Sequence, residues 1–285
     1  MSTLWEKVTK NCKLISLPQA YLQLKAVIDD PEYQLEDVAD AIRNDPALTT
    51  RVLKLVNSPY FGLSSRIDTV FRAVTLLGTQ QIHDLALATS VAEALSKRSS
   101  PDLDMHLFWR RSVYCGLCAQ ALAQRLGVMD SERLFVSGLL FDLGHMILYQ
   151  SVPELAHQAL LQSQESQWSL VETEREVIGL DYAHVGATLM RHWRLPECLI
   201  ETNECHPEPI RAWKYPLETA MVHIASLLAT AYTDNGQFGS GALQPHPAAL
   251  EKIGLSLETC AAIGDEIEPE LDAILYNIYP LDKAS

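Results

Sequence analysis

The stretch Gly138-Leu139-Leu140-Phe141-Asp142-Leu143-Gly144-His145-Met146-Ile147-Leu148 sets a carboxylate directly after a phenylalanine, with a glycine two positions on and then a histidine. Carboxylate and imidazole are the side chains that ligate a divalent metal or move a proton. The stretch looks like a metal-binding helix that has lost a metal ligand. Cys115 and Cys118 form a second candidate, a Cys-x-x-Cys pair. Zinc asks for four ligands, and the only further donors in a suggestive arrangement, Cys205-His206, lie far down the chain. The pair sits inside a helical pattern that puts both sulfurs on one face, where they read as small core hydrophobes.

The composition narrows what such groups could serve. The chain has 285 residues, 48% of them hydrophobic and 20% charged, enough to bury a large core without a disulfide or metal staple. Twenty-two Lys and Arg against 36 Asp and Glu leave a net charge of −14, which repels a phosphate backbone. The basic pairs Arg110-Arg111 and Lys97-Arg98 are isolated, so neither nucleic acid nor an anionic membrane is expected as a partner. A local basic pocket for a small anion stays open. Six scattered cysteines, a charged N-terminus and no apolar run near the ~20 residues of a membrane span predict a reduced, cytoplasmic protein.

Helices must position these residues, since helical periodicity appears almost everywhere and strand alternation almost nowhere. Leu35, Val38, Ala39 and Ile42 make one apolar face. Asp45 and Pro46 read as the cap and first turn of the next helix, which carries Leu48, Val52, Leu55 and Val56 and stops before Pro59. Val70 to Leu77 forms another, ended by Gly78, and Thr79 opens a helix that runs to about Leu95. The polar, proline-containing stretch from Ser96 to Asp104 is the expected seam. Beyond it, helices are expected from Met105 to Leu126 and, unbroken, from Ser131 through the opening stretch to Tyr149. Others start at the Ser169/Glu172 capping box and at Asp181, and cover about 216–232 and 258–278. A Gly- and Pro-rich loop is expected over Asp234 to Pro247. The expected fold class is all-α: a multi-helix bundle with an N-terminal helical part over 1–97 and a second part over 98–285.

Ser16-Leu17-Pro18, Asn44-Asp45-Pro46-Ala47-Leu48-Thr49, Leu55-Val56-Asn57-Ser58 with Tyr60-Phe61-Gly62, and Ala73-Val74 before Leu76-Leu77-Gly78 occur in one order. In this the chain resembles the HDOD family, bacterial signalling domains related to the HD-domain phosphohydrolases, over roughly Leu14 to Ala231. The resemblance implies an HD-like helical core. HD phosphohydrolases hold divalent metal with a His, an adjacent His-Asp pair and a later Asp, the pair usually followed by Gly and Lys. The matching positions here hold Arg111, Phe141-Asp142 and Ser226, with His145 where the Lys would stand. Arg111 is a permanent cation and Ser226 a weak neutral ligand, so Asp142 alone remains and no metal or other cofactor is expected. A guanidinium within reach of Asp142 would form a forked ion pair and fill the vacated centre.

His145, His184 and His206 are the remaining candidates, the last two at places where the family also tends to carry His. They read either as satisfied helix-face and loop histidines or, with Arg111, as a pocket for an anion or nucleotide. Asn57-Ser58-Pro59-Tyr60-Phe61-Gly62 reads as a helix stop with an aromatic plug, against a docking surface as the functional alternative. The leading expectation is a non-catalytic signalling or scaffold protein. With no receiver, GGDEF or EAL domain in this sequence, its partners, two-component or cyclic-dinucleotide proteins, would act in trans. The alternatives are a metal-dependent phosphohydrolase acting on nucleotides or cyclic dinucleotides, and a metal-free nucleotide or anion sensor.

Overall fold

A computed structural model describes residues 2–58, 61, 63, 65–96, 103–166, 168–233 and 244–279. Among them there is no strand. In chain order the helices are α1 (Ser2–Leu14), α2 (Gln19–Ile28), α3 (Leu35–Arg43), α4 (Pro46–Val56), α5 (Val70–Leu77) and α6 (Thr79–Ser96). They continue with α7 (Met105–Arg125), α8 (Ser131–Leu140), α9 (Leu143–Ser151), α10 (Pro153–Glu165) and α11 (Leu170–Val177). The last are α12 (Tyr182–His192), α13 (Glu197–Cys205), α14 (Pro216–Tyr232), α15 (Pro247–Ile253) and α16 (Leu257–Ile278). Among the described residues no helix is long and apolar enough to cross a membrane.

The chain divides into two compact units. One comprises Ser16–Arg98 with Pro269–Ser285, the other Met1–Ile15 with Ser99–Glu268. A single cut near residue 97 therefore misses two exchanges. Helix α1 belongs to the second unit, where Asn11 donates to Ser151 Oγ at 2.7 Å and Trp193 Nε1 donates to Ile15 O at 2.8 Å. The end of α16, from Pro269, belongs to the first. Most of the polar seam, the loop residues 234–243, and Pro59, Tyr60 and Gly62 of the helix-stop motif lie outside the described residues.

Local chemistry sets the helix starts. Asp45 Oδ1 accepts from Leu48 N at 2.6 Å with Pro46 in the first turn, and Asp181 Oδ1 accepts from His184 N at 2.8 Å. Ser169 and Glu172 form a reciprocal capping box on α11. Each such cap supplies about 1 kcal/mol by satisfying an amide with no intrahelical partner. In the second unit the core is built on α7, whose Phe108 and Trp109 are fully buried and meet edge to face at 5.2 Å. Helix α8 lies against α7 where Gly116 and Gly138 face each other: a Cβ on Gly138 would stand 2.7 Å from Gly116 Cα and from Cys115 O. That close approach brings the end of α8 to the polar residues of α7.

Candidate functional site

The expected single helix from Ser131 to Tyr149 is broken at Phe141-Asp142, between α8 and α9. Asp142 leaves helical geometry at φ −105°, ψ 5°, and its carbonyl accepts from His145 N at 3.1 Å to start α9. The break points the Asp142 carboxylate into the protein, where it is completely buried. Buried charge needs a partner, and Asp142 has two. Arg111 Nη1, on α7, donates to Asp142 Oδ2 at 2.9 Å, and His145 Nδ1 contacts Oδ1. Arg111 is itself 3% exposed, sends Nη2 to Thr230 Oγ1 at 2.8 Å, and stacks 5.0 Å over the Phe141 ring.

A residue the sequence reading passed over completes the cluster. Glu174, 2% exposed on α11, brings Oε1 within 3.0 Å of His145 Nε2 and accepts from Tyr182 N at 2.8 Å through Oε2. His145 thus lies between two buried carboxylates. Burial works against its charge, but Asp142 and Glu174 outweigh that and push it up to about 9. Burial also opposes ionisation of Asp142, yet Arg111 and His145 hold its carboxyl below the usual range. Burial pushes Glu174 up, against the pull of His145 and the Tyr182 amide. Arg111 cancels Asp142. His145 and Glu174 cancel each other, wherever along that contact their shared proton sits.

A neutral hydrogen-bond chain adjoins these charges. The Tyr182 ring stacks on His145 with centroids 4.0 Å apart, and its hydroxyl donates to His206 Nε2 at 2.8 Å. His206 Nδ1 donates to Asn203 O at 2.7 Å, and burial pushes this imidazole down to about 4, which keeps it neutral. His223, also passed over, donates from Nδ1 to His206 O at 2.7 Å and accepts from His246 N at Nε2, 2.9 Å. A cleft of about 340 Å3 opens onto Arg111, His145, Tyr182, His206 and His223, with half-exposed Trp168 also lining it.

The candidates predicted from sequence divide accordingly. Arg111, Phe141, Asp142, His145 and His206 come together, and Phe141 meets His206 edge to face at 5.7 Å. Ser226 lines the same cleft, but its hydroxyl turns back onto its own helix at His223 O, 2.8 Å. His184 does not join them. It lies on the outer face of α12, with Nδ1 3.2 Å from Glu204 Oε1 and its ring tilted against Trp5 at 5.5 Å. The placement follows from the helix: Tyr182 faces inward, and residues two apart do not share a face. Cys115 and Cys118 are fully buried in α7, and burial holds both thiols well above their ordinary range, so they pack as apolar groups. Among the described residues no group of three or more His, Cys, Asp or Glu is arranged to hold a metal ion.

The stacking of His145 on Tyr182 depends on a close helix crossing at Gly144. A Cβ there would stand 1.8 Å from Tyr182 O and 2.9 Å from Gly186 N, both rigid backbone atoms. Gly144→Ala is therefore expected to cost about 1–3 kcal/mol or more by forcing α9 away from α12. Thermal unfolding checks this, and an unchanged melting temperature would mean the crossing is looser than it stands here.

A family model described as the HDOD domain matches residues 14–209. An uncharacterized protein of Treponema pallidum (strain Nichols) is 30% identical over 196 residues, 67% of this chain and 37% of that protein. The chain thus spans well under half the length of this relative. Among solved structures, a Shewanella amazonensis SB2B protein described as "Putative phosphohydrolase" aligns over 96% of this chain and 97% of its own, with TM-score 0.75 and 23% identity. An HDOD domain protein of unknown function from Geobacter sulfurreducens aligns over 92% and 91%, with TM-score 0.69 and 22% identity. A Marinobacter aquaeolei VT8 protein described as a "Putative signal transduction protein" aligns over 96% and 64%, with TM-score 0.70 and 19% identity. At these identities the solved structures establish the helical fold and nothing finer.

Proposed function

The chain belongs to the HDOD family, and on that premise we propose that it is a signalling protein without catalysis at the HD-like position, acting through protein partners. The observation that carries the reading is the buried ion pair of Arg111 and Asp142, 2.9 Å apart. The residues at the positions matched to metal ligands do not fit a divalent cation. A guanidinium is already bound to the one carboxylate, Phe141 offers no lone pair, and the Ser226 hydroxyl is spent on backbone. The cluster sums to zero charge, so it also offers little surplus to a phosphate, which weighs against the anion-sensor alternative. All six cysteines are free and buried, which supports a reducing, cytoplasmic setting.

Protein purified without chelator or metal-affinity chromatography tests this reading by elemental mass spectrometry. Far less than one equivalent of manganese, iron or zinc is expected. Near-stoichiometric metal, together with phosphoester hydrolysis that chelation abolishes, would replace the proposal with the phosphohydrolase reading.

A further inference from the structure

The unit made of residues 16–98 and 269–285 has a cleft of its own, independent of the Arg111–Asp142 cluster. It measures about 910 Å3 and lies along the end of α4 and the segment before α5. Lys54, Ser58, Arg66 and Asp68 border it, with Asn277 of α16. Its walls are fixed by Asn57, whose amide donates to Leu53 O at 2.8 Å and Ile67 O at 2.7 Å while its Oδ1 accepts from Ile67 N at 2.8 Å. This clasp ties the last turn of α4 to the strap before α5, so the cleft is built into the fold.

Two observations mark it as a binding site. The first is the distribution of positive charge. Six basic residues of this unit are described, and four of them have carboxylate partners. Lys25 pairs with Asp29, Arg43 with Glu36 and Asp40, Arg51 with Glu93, and Arg72 with Asp68 at 3.8 Å. Among the described residues Lys54 and Arg66 have none, and both line this cleft. In a chain with net charge −14 carboxylates are abundant, so two unpaired cations on one concavity are a local exception. The second observation is Ser58, only 6% exposed, whose Oγ has no hydrogen-bond partner. Buried hydroxyls are nearly always satisfied, and one left open on a cleft lacks the group that would satisfy it.

We propose that this cleft binds a phosphorylated small molecule of nucleotide size. Arg66 offers a planar fork that matches phosphate oxygens, Lys54 a mobile point charge, and Ser58 a hydroxyl donor. A bare phosphate would leave most of the volume empty, since pockets of this size hold whole small ligands. Asp68 and Asn277 bring acceptors to the same cleft, suited to the hydroxyl or amino donors of a sugar or base. The ligand therefore carries an anionic end and a donor-rich body.

The full chain, without added metal, is titrated with AMP, ATP and inorganic phosphate by calorimetry and thermal shift. AMP or ATP is expected to bind and to raise the melting temperature. Lys54→Gln with Arg66→Gln is expected to weaken that binding about tenfold or more, the scale of losing charge-assisted contacts. Arg211→Gln with Lys214→Gln, an equal charge change in the other unit, is expected to leave it unchanged. Ser58→Ala is expected to weaken binding without lowering the melting temperature of the unliganded protein, because its hydroxyl has no partner to lose. Three results would overturn the proposal: no nucleotide binding, equal weakening by both charge pairs, or phosphate binding as tightly as AMP. A glutamate-rich peptide binding where nucleotides fail would assign the cleft to acidic protein segments instead. None of these outcomes bears on Arg111 and Asp142.

Discussion

Asp142→Ala is expected to lower stability by about 3–5 kcal/mol, because it strands two buried cations rather than one contact. Arg111 would lose its 2.9 Å carboxylate while 3% exposed, and His145 would lose one of the two carboxylates that flank it. Arg111→Met alone is expected to be comparably costly, since it leaves the wholly buried Asp142 carboxylate with His145. The double change, Asp142→Leu with Arg111→Met, is expected to cost far less than the sum of the two. An apolar pair of similar volume removes both desolvation penalties at once. The Phe141 ring that now lies under the guanidinium provides an apolar wall for it. Chemical denaturation of the four proteins closes the cycle. Additive losses would mean that Arg111 and Asp142 are each held by other groups, and the notion that the guanidinium stands in for a metal would fall with them. A strong coupling would show instead that the centre of this HD-like core is held by a fixed internal cation.

How far this arrangement could be read from the sequence varies by residue. The Asp45-Pro46 and Asp181 caps and the Ser169/Glu172 box are local, and each was legible because a cap involves only residues within one turn. The ion pair was legible once Arg111 and Asp142 were matched to family positions. The break at Phe141-Asp142 was not, because Leu139, Leu140, Leu143 and Met146 continue a helical apolar pattern straight through it. Only the burial of Asp142 betrays it. Glu174 was hidden for a related reason: Glu172, Glu174 and Glu176 look alike in sequence, and only the middle one faces inward. A signal existed, since the buried residues of α11 are Thr173 and Glu174, neither apolar. A helix whose inward face is polar has to meet a polar partner, here His145. His223 lies on α14 three residues before Ser226, and nothing in its local sequence marks the His206 carbonyl that it meets.

Stability should peak at slightly acid to neutral pH and fall on both sides, through two different histidines. His145 is held up at about 9 when folded, against 6.5 for the free group. Below 6.5 both states carry the proton and the stabilisation is complete. As the pH rises from about 6.5 to about 9, the unfolded chain gives up its proton while the folded chain keeps it, and roughly 3 kcal/mol is lost. His206 works in reverse, being pushed down to about 4 by burial against the same reference. Above 6.5 both states are neutral. As the pH falls from about 6.5 toward 4, the unfolded chain takes up a proton that the folded chain refuses, and roughly another 3 kcal/mol goes. His223, pushed down by burial and accepting the His246 amide at Nε2, adds to the acid limb. Urea denaturation across this range measures the dome, and two variants separate its limbs. His145→Gln should flatten the alkaline limb and leave the acid one, while His206→Gln should do the opposite. A wild-type profile that stays flat from neutral pH to 9 would mean that the His145–Glu174 pair keeps no proton in the folded state that the unfolded chain has lost. Glu174 would then be an ionised carboxylate against a neutral imidazole, and the buried centre would carry net negative charge beside the Arg111–Asp142 pair.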